Sequence, residues 1–429
     1  MGQDPTTHRI EAELLIPGLG EPLRDACLIL EESRIVWVGP RSDAPPSHER
    51  MPTWRVPVVM PGLWDCHVHL TGLRHTSLDD VMRVPVPVAA ARAVRDVQRA
   101  LEAGVTSVRE VGGYGVHVAR VIDEGTVKGP HVYAAGDLIS PTGGHADLHT
   151  YSTGCVADLG ERGGWLRTCD GEAECLRAVR LQLRRGARLI KICASGGVLT
   201  TYDHPMHQQF SDHELRCSVE EAARAERIVA AHCHGKAGIL AALRAGCRTI
   251  EHGTYLDDEC AQAMKEAGAI LVTTRFVKVR MMAHGERTGL PDYARRKLIE
   301  TADVHRQAIE RAVGSGVPIA AGTDTITCGE DTALPWGLHG LELALLVEAG
   351  MSPLQAIEAA TATAPRTLGL QAPRSGRLEV GYDADVIAVA ESPLEDIRVL
   401  SGPAKITHVW KAGHLEKAPA GGSAFRALS

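Results

Sequence analysis

The sequence predicts an α/β fold: a (β/α)8 TIM-type barrel with a small β-sandwich domain formed by the N- and C-terminal segments. Short apolar runs alternate with stretches of helical periodicity through the middle of the chain, whereas both ends show period-two alternation bounded by turn residues. Eight β/α alternations imply a parallel sheet, and eight strands close a barrel. We expect the small domain at 1–59 plus 372–429, and the barrel at 60–371.

The two ends of the chain share one sequence pattern. Strand-like runs near the start are RIEAELLIPG, DACLILEESRIVWVG and TWRVPVVMPG, and those near the end are GRLEVGYDADVIAVA and AKITHVWKAG. Their alternation and β-branched content suit a small sheet. We therefore expect the two ends to meet in one β-domain.

The middle of the chain contains eight apolar runs: PVVMPGLWDCHVHL, GVTSVREVGG, HVYAAGDLIS, RLIKICASGG, RIVAAHCHG, CRTIEHGT, AILVTTRF and VPIAAGTDT. Connecting segments such as AAARAVRDVQRALEAG and GKAGILAALRAG have helical spacing and end in glycine, a common helix stop. In a barrel of this kind, catalytic residues lie at the C-terminal ends of the strands. A doubly wound open sheet is the alternative fold.

Composition excludes several classes of protein. The 429 residues carry a formal net charge of -7, which gives no basic surface for nucleic acid. No run approaches the roughly 18 apolar residues of a membrane span, and the start lacks the pattern of a signal peptide. The 11 cysteines are an odd number and include no C-x-x-C pair, as is typical of reduced thiols. We expect a cytoplasmic protein that binds neither nucleic acid nor membrane.

The first apolar run ends in two histidines, His67 and His69. Residues i and i+2 of a strand point to the same side, so both imidazoles can face the barrel interior. Two neutral imidazoles aimed at one point suit Zn²⁺ or a related metal. An isolated H-x-H is more often two polar residues leaving a strand.

Other strands strengthen the metal interpretation. Lys191 lies in the middle of the apolar fourth run, where a lysine is costly unless it is neutralised or paired. The fifth run ends in His232, the sixth in His252 and the eighth in Asp324. Five strand ends thus offer possible ligands, and we predict a metal site there.

This set of residues resembles the amidohydrolase superfamily. It is more similar to the imidazolonepropionase-like and prolidase-like branch, which includes dipeptidases, carboxypeptidases and ochratoxin-hydrolysing amidases. The resemblance runs almost end to end through PGLWDCHVHL, GGH in the third loop, KICASGGV, AHCHG, IEHG, AGTDT, EAGMSPLQAIEAATATAPRTLGL and GRLEVGYDADVIAV.

The resemblance implies two divalent metal ions, usually zinc, with these ligands: His67, His69 and Asp324 at one metal, His232 and His252 at the other, and Lys191 between them as a CO₂-derived carbamate. The carbamate would account for the lysine in an apolar strand, because it is an anionic oxygen ligand. Hydroxide shared by the metals would be the nucleophile. Asp324 would orient that water, take its proton and pass it to the leaving group.

Substrate residues are expected on the loops. The segment from about 140 to 169 is long, has few helical signals and should cover the barrel mouth. It carries His145, to which the resemblance gives a catalytic and substrate-binding role; the alternative is a loop histidine bonded to backbone. Tyr202 and His204, after the fourth strand, are further candidates. His234 follows His232 with the same orientation, and we include it as a substrate-binding residue; the alternatives are a residue that supports a ligand and one that only packs in the core.

Charged residues outside the ligand set have plainer interpretations. We expect Arg109 and Glu110, on the second strand, to form a structural ion pair. Lys278, Arg280 and His284 follow the seventh strand near the barrel mouth. They either pair with a substrate carboxylate or are solvated.

The leading functional hypothesis is hydrolysis of an amide bond in a small molecule. The substrate would be a dipeptide or N-acyl amino acid with a free carboxylate on the leaving half. The alternative is a hydrolase of a cyclic amide, lactone or phosphoester, because the same metals activate water for any of these. A metal-free binding or assembly protein is a third class, disfavoured because every ligand position is occupied. We also expect a homo-oligomer.

Overall fold

The structure of the protein is a computed structural model. It describes residues 7–47, 51–285 and 289–419. The outer ends of the expected small domain, 1–6 and 420–429, therefore lie outside the described residues.

The described strands are β1 (Thr7–Leu15), β2 (Leu23–Glu31), β3 (Arg34–Pro40), β4 (Thr53–Pro61), β5 (Leu63–Leu73), β6 (Val105–Glu110), β7 (His131–Ala134), β8 (Leu138–Ser140), β9 (Leu166–Thr168), β10 (Ile190–Cys193), β11 (Val229–Cys233), β12 (Thr249–His252), β13 (Ile270–Val272), β14 (Ile319–Ala320), β15 (Thr325–Thr327), β16 (Val386–Val389), β17 (Ile406–Lys411) and β18 (His414–Lys417). The α-helices are α1 (Val86–Glu102), α2 (Gly115–Asp123), α3 (Thr153–Glu161), α4 (Gly171–Arg185), α5 (Asp212–Ala223), α6 (Lys236–Ala245), α7 (Asp258–Ala267), α8 (Arg275–His284), α9 (Asp292–Gly314), α10 (Leu341–Glu348) and α11 (Pro353–Ala359).

The middle of the chain forms a parallel α/β barrel. One ladder joins β5, β6 and β7, and a second joins β8, β10, β11, β12, β13 and β14. The third barrel strand is interrupted between β7 and β8. The last strand returns to the first, because the Cys66 amide donates to the Ala321 carbonyl (2.9 Å) and the Asp324 amide to the His67 carbonyl (2.7 Å). The ring is closed, so the TIM-type barrel describes this fold and the open sheet does not.

Glycine ends several of the outer helices, as the sequence predicts. Gly186 after α4, Gly246 after α6 and Gly268 after α7 have φ of 95°, 96° and 60°. A residue with a Cβ rarely adopts this left-handed conformation, so glycine here stops the helix and turns the chain toward the next strand.

The segment from 140 to 169 differs from its prediction. It contains β9 and the helix α3, which begins after Ser152, whose hydroxyl accepts a hydrogen bond from the Cys155 amide. An N-cap serine is a helix-start signal, and it reveals a helix in a stretch with little apolar periodicity.

Strands from both ends of the chain form one seven-stranded sheet, in the order β18-β17-β16-β4-β1-β2-β3. β4 lies near its middle, parallel to β1 and antiparallel to β16. The sheet has its own apolar cluster, which includes Trp54 and Trp410, distinct from the large cluster of the barrel. The two ends therefore meet in a sheet, while the sandwich and the domain boundaries stay predictions.

In the described part of the chain, every helix is too short or too polar to cross a lipid bilayer.

Candidate metal centre

A cleft opens at the C-terminal ends of the barrel strands. Its empty volume is about 690 Å³, counted out to the open mouth. The polar residues that line it are His67, His69, His145, Lys191, His232, His234, His252, Lys278 and Asp324. All six predicted metal ligands are therefore brought to one cleft, although they come from five different strand ends.

The first predicted group meets at the middle of β5. The Nε2 atom of His69 lies 3.2 Å from Oδ1 of Asp324, and Nε2 of His67 lies 3.6 Å from the same oxygen. Lys191 Nζ is 3.5 Å from His67 Nε2. These separations let one cation reach both imidazoles and the carboxylate, with the lysine beside them.

The second group contains three histidines. Nε2 of His252 and Nδ1 of His232 are 3.0 Å apart, near the roughly 3.3 Å that separates nitrogen ligands on a tetrahedral zinc with bonds of about 2.0 Å. His234 belongs with them, since ligand atoms of all three rings lie within 4.8 Å of one another. His234, predicted to bind substrate, is thus also close enough to be a ligand.

In four of these rings, the Nδ1 atom has a hydrogen-bond partner outside the set of predicted ligands. The partners of Nδ1 are Glu251 Oε2 at 2.7 Å for His67, the Gly112 carbonyl at 2.7 Å for His69, Thr254 Oγ1 at 2.7 Å for His234, and Thr274 Oγ1 at 2.8 Å for His252. A hydrogen bond on the outer nitrogen orients the ring and leaves the other nitrogen for a metal.

Burial favours the neutral form of the His67, His232 and His252 rings. It lowers the pKa of His67 to about 4, with the Lys191 charge adding to the effect, and it lowers those of His232 and His252 well below 6.5. Burial would raise the pKa of Asp324, but His67 and His69 outweigh it and the pKa lies below its usual value. Neutral imidazoles and an ionised carboxylate are the donor set of a borderline divalent cation such as Zn²⁺.

Glu251 is a positioning residue that the sequence analysis missed. It accepts two hydrogen bonds of 2.7 Å from Arg109 Nη2, besides its contact with His67. The predicted Arg109–Glu110 pair is therefore wrong. Neighbours in a strand point to opposite faces, so Arg109 reaches Glu251, while burial raises the pKa of Glu110 to about 8.

Asp65 ties the first strand to the eighth. Its carboxylate accepts hydrogen bonds from the Thr323 amide (3.0 Å) and hydroxyl (2.6 Å) and from the His67 amide (3.0 Å). It also contacts His339 Nδ1 at 2.7 Å. The backbone on both sides of the first metal group is thereby fixed. Asp65 directly precedes C-H-V-H in the sequence, which was the signal available for it.

Three residues at the cluster have left-handed backbone conformations. They are His252 (φ 70°), Thr274 (φ 55°) and Asp324 (φ 60°). Such conformations are unfavourable for residues other than glycine, and they persist where the surroundings hold them. Two of the three are predicted ligands, so the strand ends turn sharply just where a donor atom is presented.

His145 reaches the cluster from its loop. Its ring stacks on His232 with centroids 4.3 Å apart, and its Nδ1 lies 2.8 Å from Thr200 Oγ1 and 3.6 Å from Asp203 Oδ2. It lines the cleft, so its position is compatible with contact to substrate.

Tyr202 and His204 are not brought to the cluster. Tyr202 is 80% exposed, packs on His149 and lies outside the residues that line the cleft. His204 is exposed as well. The residue between them, Asp203, instead accepts hydrogen bonds from Thr200 (2.5 Å) and Lys297 (3.1 Å) beside His145. The predicted role of Tyr202 therefore stays a prediction without a contact here.

Comparison with known proteins agrees with the geometry. Residues 58–415 match the model of the amidohydrolase family, whose members generally use divalent metal ions. An ochratoxinase from Aspergillus niger is 47% identical over 427 residues, which cover 96% of this chain and 86% of that protein. Its crystal structure superposes with a TM-score of 0.89 and 45% identity over 97% of each chain.

Two further relatives belong to the branch that the sequence resembles. The crystal structure of a prolidase complexed with N-methylphosphonate-L-proline is 30% identical, with a TM-score of 0.88 over 96% of this chain and all of that chain. An imidazolonepropionase from Saccharopolyspora erythraea is 25% identical over 93% of this chain and 97% of its own length. The chain belongs to the amidohydrolase family and is a hydrolase that acts on C–N bonds.

Proposed function

We propose that this chain cleaves the amide bond of a dipeptide or N-acyl amino acid with the help of two divalent metal ions, most simply zinc. The convergence of the six side chains predicted to bind metal on one cleft carries the proposal. Relatives described as an ochratoxinase and a prolidase support amide cleavage.

The two groups of donors would each hold one metal. His67, His69 and Asp324 form the first group, and His232 and His252 form the second. Lys191 lies beside His67, where a carbamate formed from CO₂ would bridge the two groups. When bound, the metals would lower the pKa of water and polarise the scissile carbonyl.

Three side chains would transfer the proton and contact the substrate. Asp324 has a carboxylate at the cleft that can take a proton from the attacking water and return it to the leaving nitrogen. His145 uses Nδ1 on Thr200, which leaves Nε2 for a hydrogen bond to the reacting centre or to the substrate's carboxylate. His234 has its Nδ1 on Thr254 and offers Nε2 to the metals or the substrate.

The cleft suggests the kind of substrate. Most of its other walls are apolar, with Leu78, Trp165, Val198, Met281 and Leu298 among them. Such walls suit a small substrate with one apolar group.

The test combines metal content with turnover. The full chain, expressed with zinc and bicarbonate, should bind about two zinc ions and hydrolyse N-acyl amino acids or dipeptides. A protein that instead cleaves only lactones, cyclic amides or phosphoesters contradicts the proposed substrate class. One that binds less than about one zinc ion per chain contradicts the metal assignment.

Two variants test the roles of the residues. Lys191→Ala should lose most bound metal and activity, whereas the exposed Lys265→Ala should keep both. Asp324→Asn should keep the fold and lose turnover by a factor of roughly 10² to 10⁴, as expected for a general acid–base residue. Asp258→Asn, at a carboxylate that is 92% exposed, is its control. A normal kcat in Asp324→Asn would refute the mechanism.

We also infer that residues 1–59 with 372–429 form a small β-domain beside a barrel of 60–371. The apolar cluster around Trp54 and Trp410 supports this division, while Ile387 and Val409 on the other face of the sheet pack into the large cluster of the barrel. All 11 cysteines are free, which supports a reducing compartment and hence a cytoplasmic location. The homo-oligomer stays a prediction.

A further inference from the structure

We propose that Lys278 binds the carboxylate on the leaving half of the substrate, so that the enzyme selects free acids over the corresponding amides. The inference rests on the proposed amide hydrolysis and assigns one residue to substrate choice. We do not assign this role to Arg280, another cation near the barrel mouth, because its Nε already donates a hydrogen bond to the Ala333 carbonyl (3.0 Å).

Lys278 is a buried lysine at the wall of the metal cleft, where burial lowers the pKa of its ammonium group to about 7 and a bound carboxylate would raise it. Its side chain is on α8, the residue is 3% exposed, and it lines the same cleft as His145 and Asp324. Lys191 and Asp324, the other two charged side chains of the lining, belong to the predicted metal centre. Lys278 is therefore the charged group of the lining that the metals do not use.

The ammonium group has spare hydrogen-bonding capacity. Lys278 Nζ donates to Thr301 Oγ1 at 2.7 Å. The Thr301 hydroxyl in turn donates to the Lys297 carbonyl at 2.7 Å, so its oxygen is fixed as an acceptor. A lysine has three N–H donors, and among the described residues only this one acceptor receives a hydrogen bond from Lys278.

Lys297, a second lysine with little exposure, is a useful comparison because its ammonium group has several hydrogen-bond acceptors. Its Nζ donates to the carbonyls of Gly197 (3.0 Å), Thr200 (2.8 Å) and Asp203 (2.6 Å), and it lies 3.1 Å from the Asp203 carboxylate. Lys278 has no carboxylate within ion-pair distance in the described part of the chain. Burying an unpaired cation is costly, and a bound carboxylate would remove that cost.

The surroundings of Lys278 favour a carboxylate over a neutral group. Val277, Met281 and Leu298 line the cleft near it, so an ion pair formed there would be screened little by water. A charge-assisted hydrogen bond is stronger than one between neutral groups. Together, the apolar wall and the single cation fit an apolar amino acid with its free carboxylate.

The experiment compares two substrates that share one scissile bond. N-acetylphenylalanine and N-acetylphenylalanine carboxamide are offered to the zinc-loaded full chain. We expect kcat/KM to be roughly 10- to 100-fold higher for the acid, the range of one charge-assisted hydrogen bond. In Lys278→Met the acid should fall to the level of the amide, chiefly through KM, while the amide changes less than about threefold.

Controls separate binding from structure. Lys265→Met removes an exposed lysine and should keep the preference for the acid. The zinc content of Lys278→Met should match that of the wild type, and its melting temperature should be equal or higher, because the variant loses an uncompensated buried charge. An equal loss on both substrates, or an undiminished preference for the acid in Lys278→Met, would overturn the inference.

A binding measurement distinguishes this inference from the proposed function. Calorimetry compares 3-phenylpropanoate with 3-phenylpropanamide, neither of which needs to be cleaved. If the wild type hydrolyses no amide but binds the acid more tightly, and Lys278→Met loses that preference, the assignment of Lys278 stands and the proposed reaction fails. If the preference survives in the variant, the assignment of Lys278 fails.

Discussion

Glu251 shows how one buried carboxylate can serve both the fold and the metal centre. Its oxygens accept hydrogen bonds from the Arg109 guanidinium on one side and contact His67 Nδ1 on the other. Burial would raise its pKa, but Arg109, and after it Lys191 and His67, hold the pKa well below the usual value. The carboxylate therefore stays ionised and keeps the His67 ring turned toward the cluster.

Glu251→Gln should destabilise the protein markedly. The variant keeps the shape of the side chain but leaves the Arg109 charge, which is fully buried, without its partner. Breaking a buried ion pair in this way typically costs about 3–5 kcal/mol, which denaturant titration of the wild type and variant would measure. Glu259→Gln, at a mostly exposed ion pair with Lys236, should change stability by less than about 1 kcal/mol. Equal stability of the two variants would contradict this account.

At the level of single residues, the side chains that meet at the cleft were easier to predict from the sequence than the residues that position them. His67, His252 and Asp324 could be predicted because each ends an apolar run, a local property of the sequence. Glu251 also ends such a run, but its partner Arg109 is 142 positions away. Support of this kind arises from tertiary contacts that no local pattern contains.

The loop after β10 shows the same limit at the scale of elements. It was predicted to contribute Tyr202 and His204, whereas its contact with the centre is made by Asp203 and by the backbone around Gly197. His145 packs so closely on Gly197 that a Cβ there would lie 2.0 Å from the imidazole. The loop thus acts as a wall that fixes one ring.

Gly197→Ala should therefore displace His145. We expect kcat/KM to fall by at least about tenfold, since small misplacements near a reacting centre are costly, while zinc content stays unchanged because no predicted ligand is touched. Gly154→Ala is the matched control, as a Cβ at that position meets nothing within 4 Å. Full activity in Gly197→Ala would show that the position of His145 is unimportant for the reaction.

The order of strands and helices was easier to predict than irregular elements. Apolar runs and glycine stops are repeated around the barrel, so each unit reinforces the interpretation of the next. The helix α3 was missed because a single cap residue, Ser152, marks its start. The split of the third barrel strand into β7 and β8 has no signal in the apolar pattern either.

For the molecule as a whole, the metal centre joins segments that are far apart in the chain. The first half of β5 and the residues before β15 meet through Asp65, which accepts hydrogen bonds from the Thr323 and His67 amides. This arrangement leaves several neutral imidazoles buried together, so the global stability of the metal-free protein should depend on pH.

The free energy of unfolding should fall as the pH is lowered from 7.5 to 5.5 after treatment with a chelator. The pKa of folded His67 is about 4 and that of His305 about 3, against 6.5 when unfolded. The unfolded chain therefore binds more protons in this interval, and each such histidine contributes about 1.4 kcal/mol of lost stability. Urea titrations at the two pH values measure the change.

The exposed His75 supplies the control for this pH dependence. His75→Gln should leave the difference between the two pH values unchanged, whereas His67→Asn should reduce it by the contribution of about one histidine. A metal-free wild type with the same stability at both pH values would contradict the burial of neutral imidazoles.

Whole-molecule architecture was the most predictable level. Eight β/α repeats predicted the barrel, and the alternating pattern shared by the two chain ends predicted that they meet in one sheet. The pairing order of the terminal sheet could not be predicted, because β4 joins β1 on one side and β16 on the other. Strands that pair across more than 300 residues leave no local record of their register.

Trp165, part of the cleft wall, gives this arrangement an optical consequence. It is 1% exposed and borders the same space as Lys278 and the histidines. Its emission is therefore that of an indole shielded from water, and a ligand in the cleft would contact it directly. We expect a ligand in the cleft to change the emission of Trp165, one of the six tryptophans of the chain, so that ligands can be ranked without turnover and without a label.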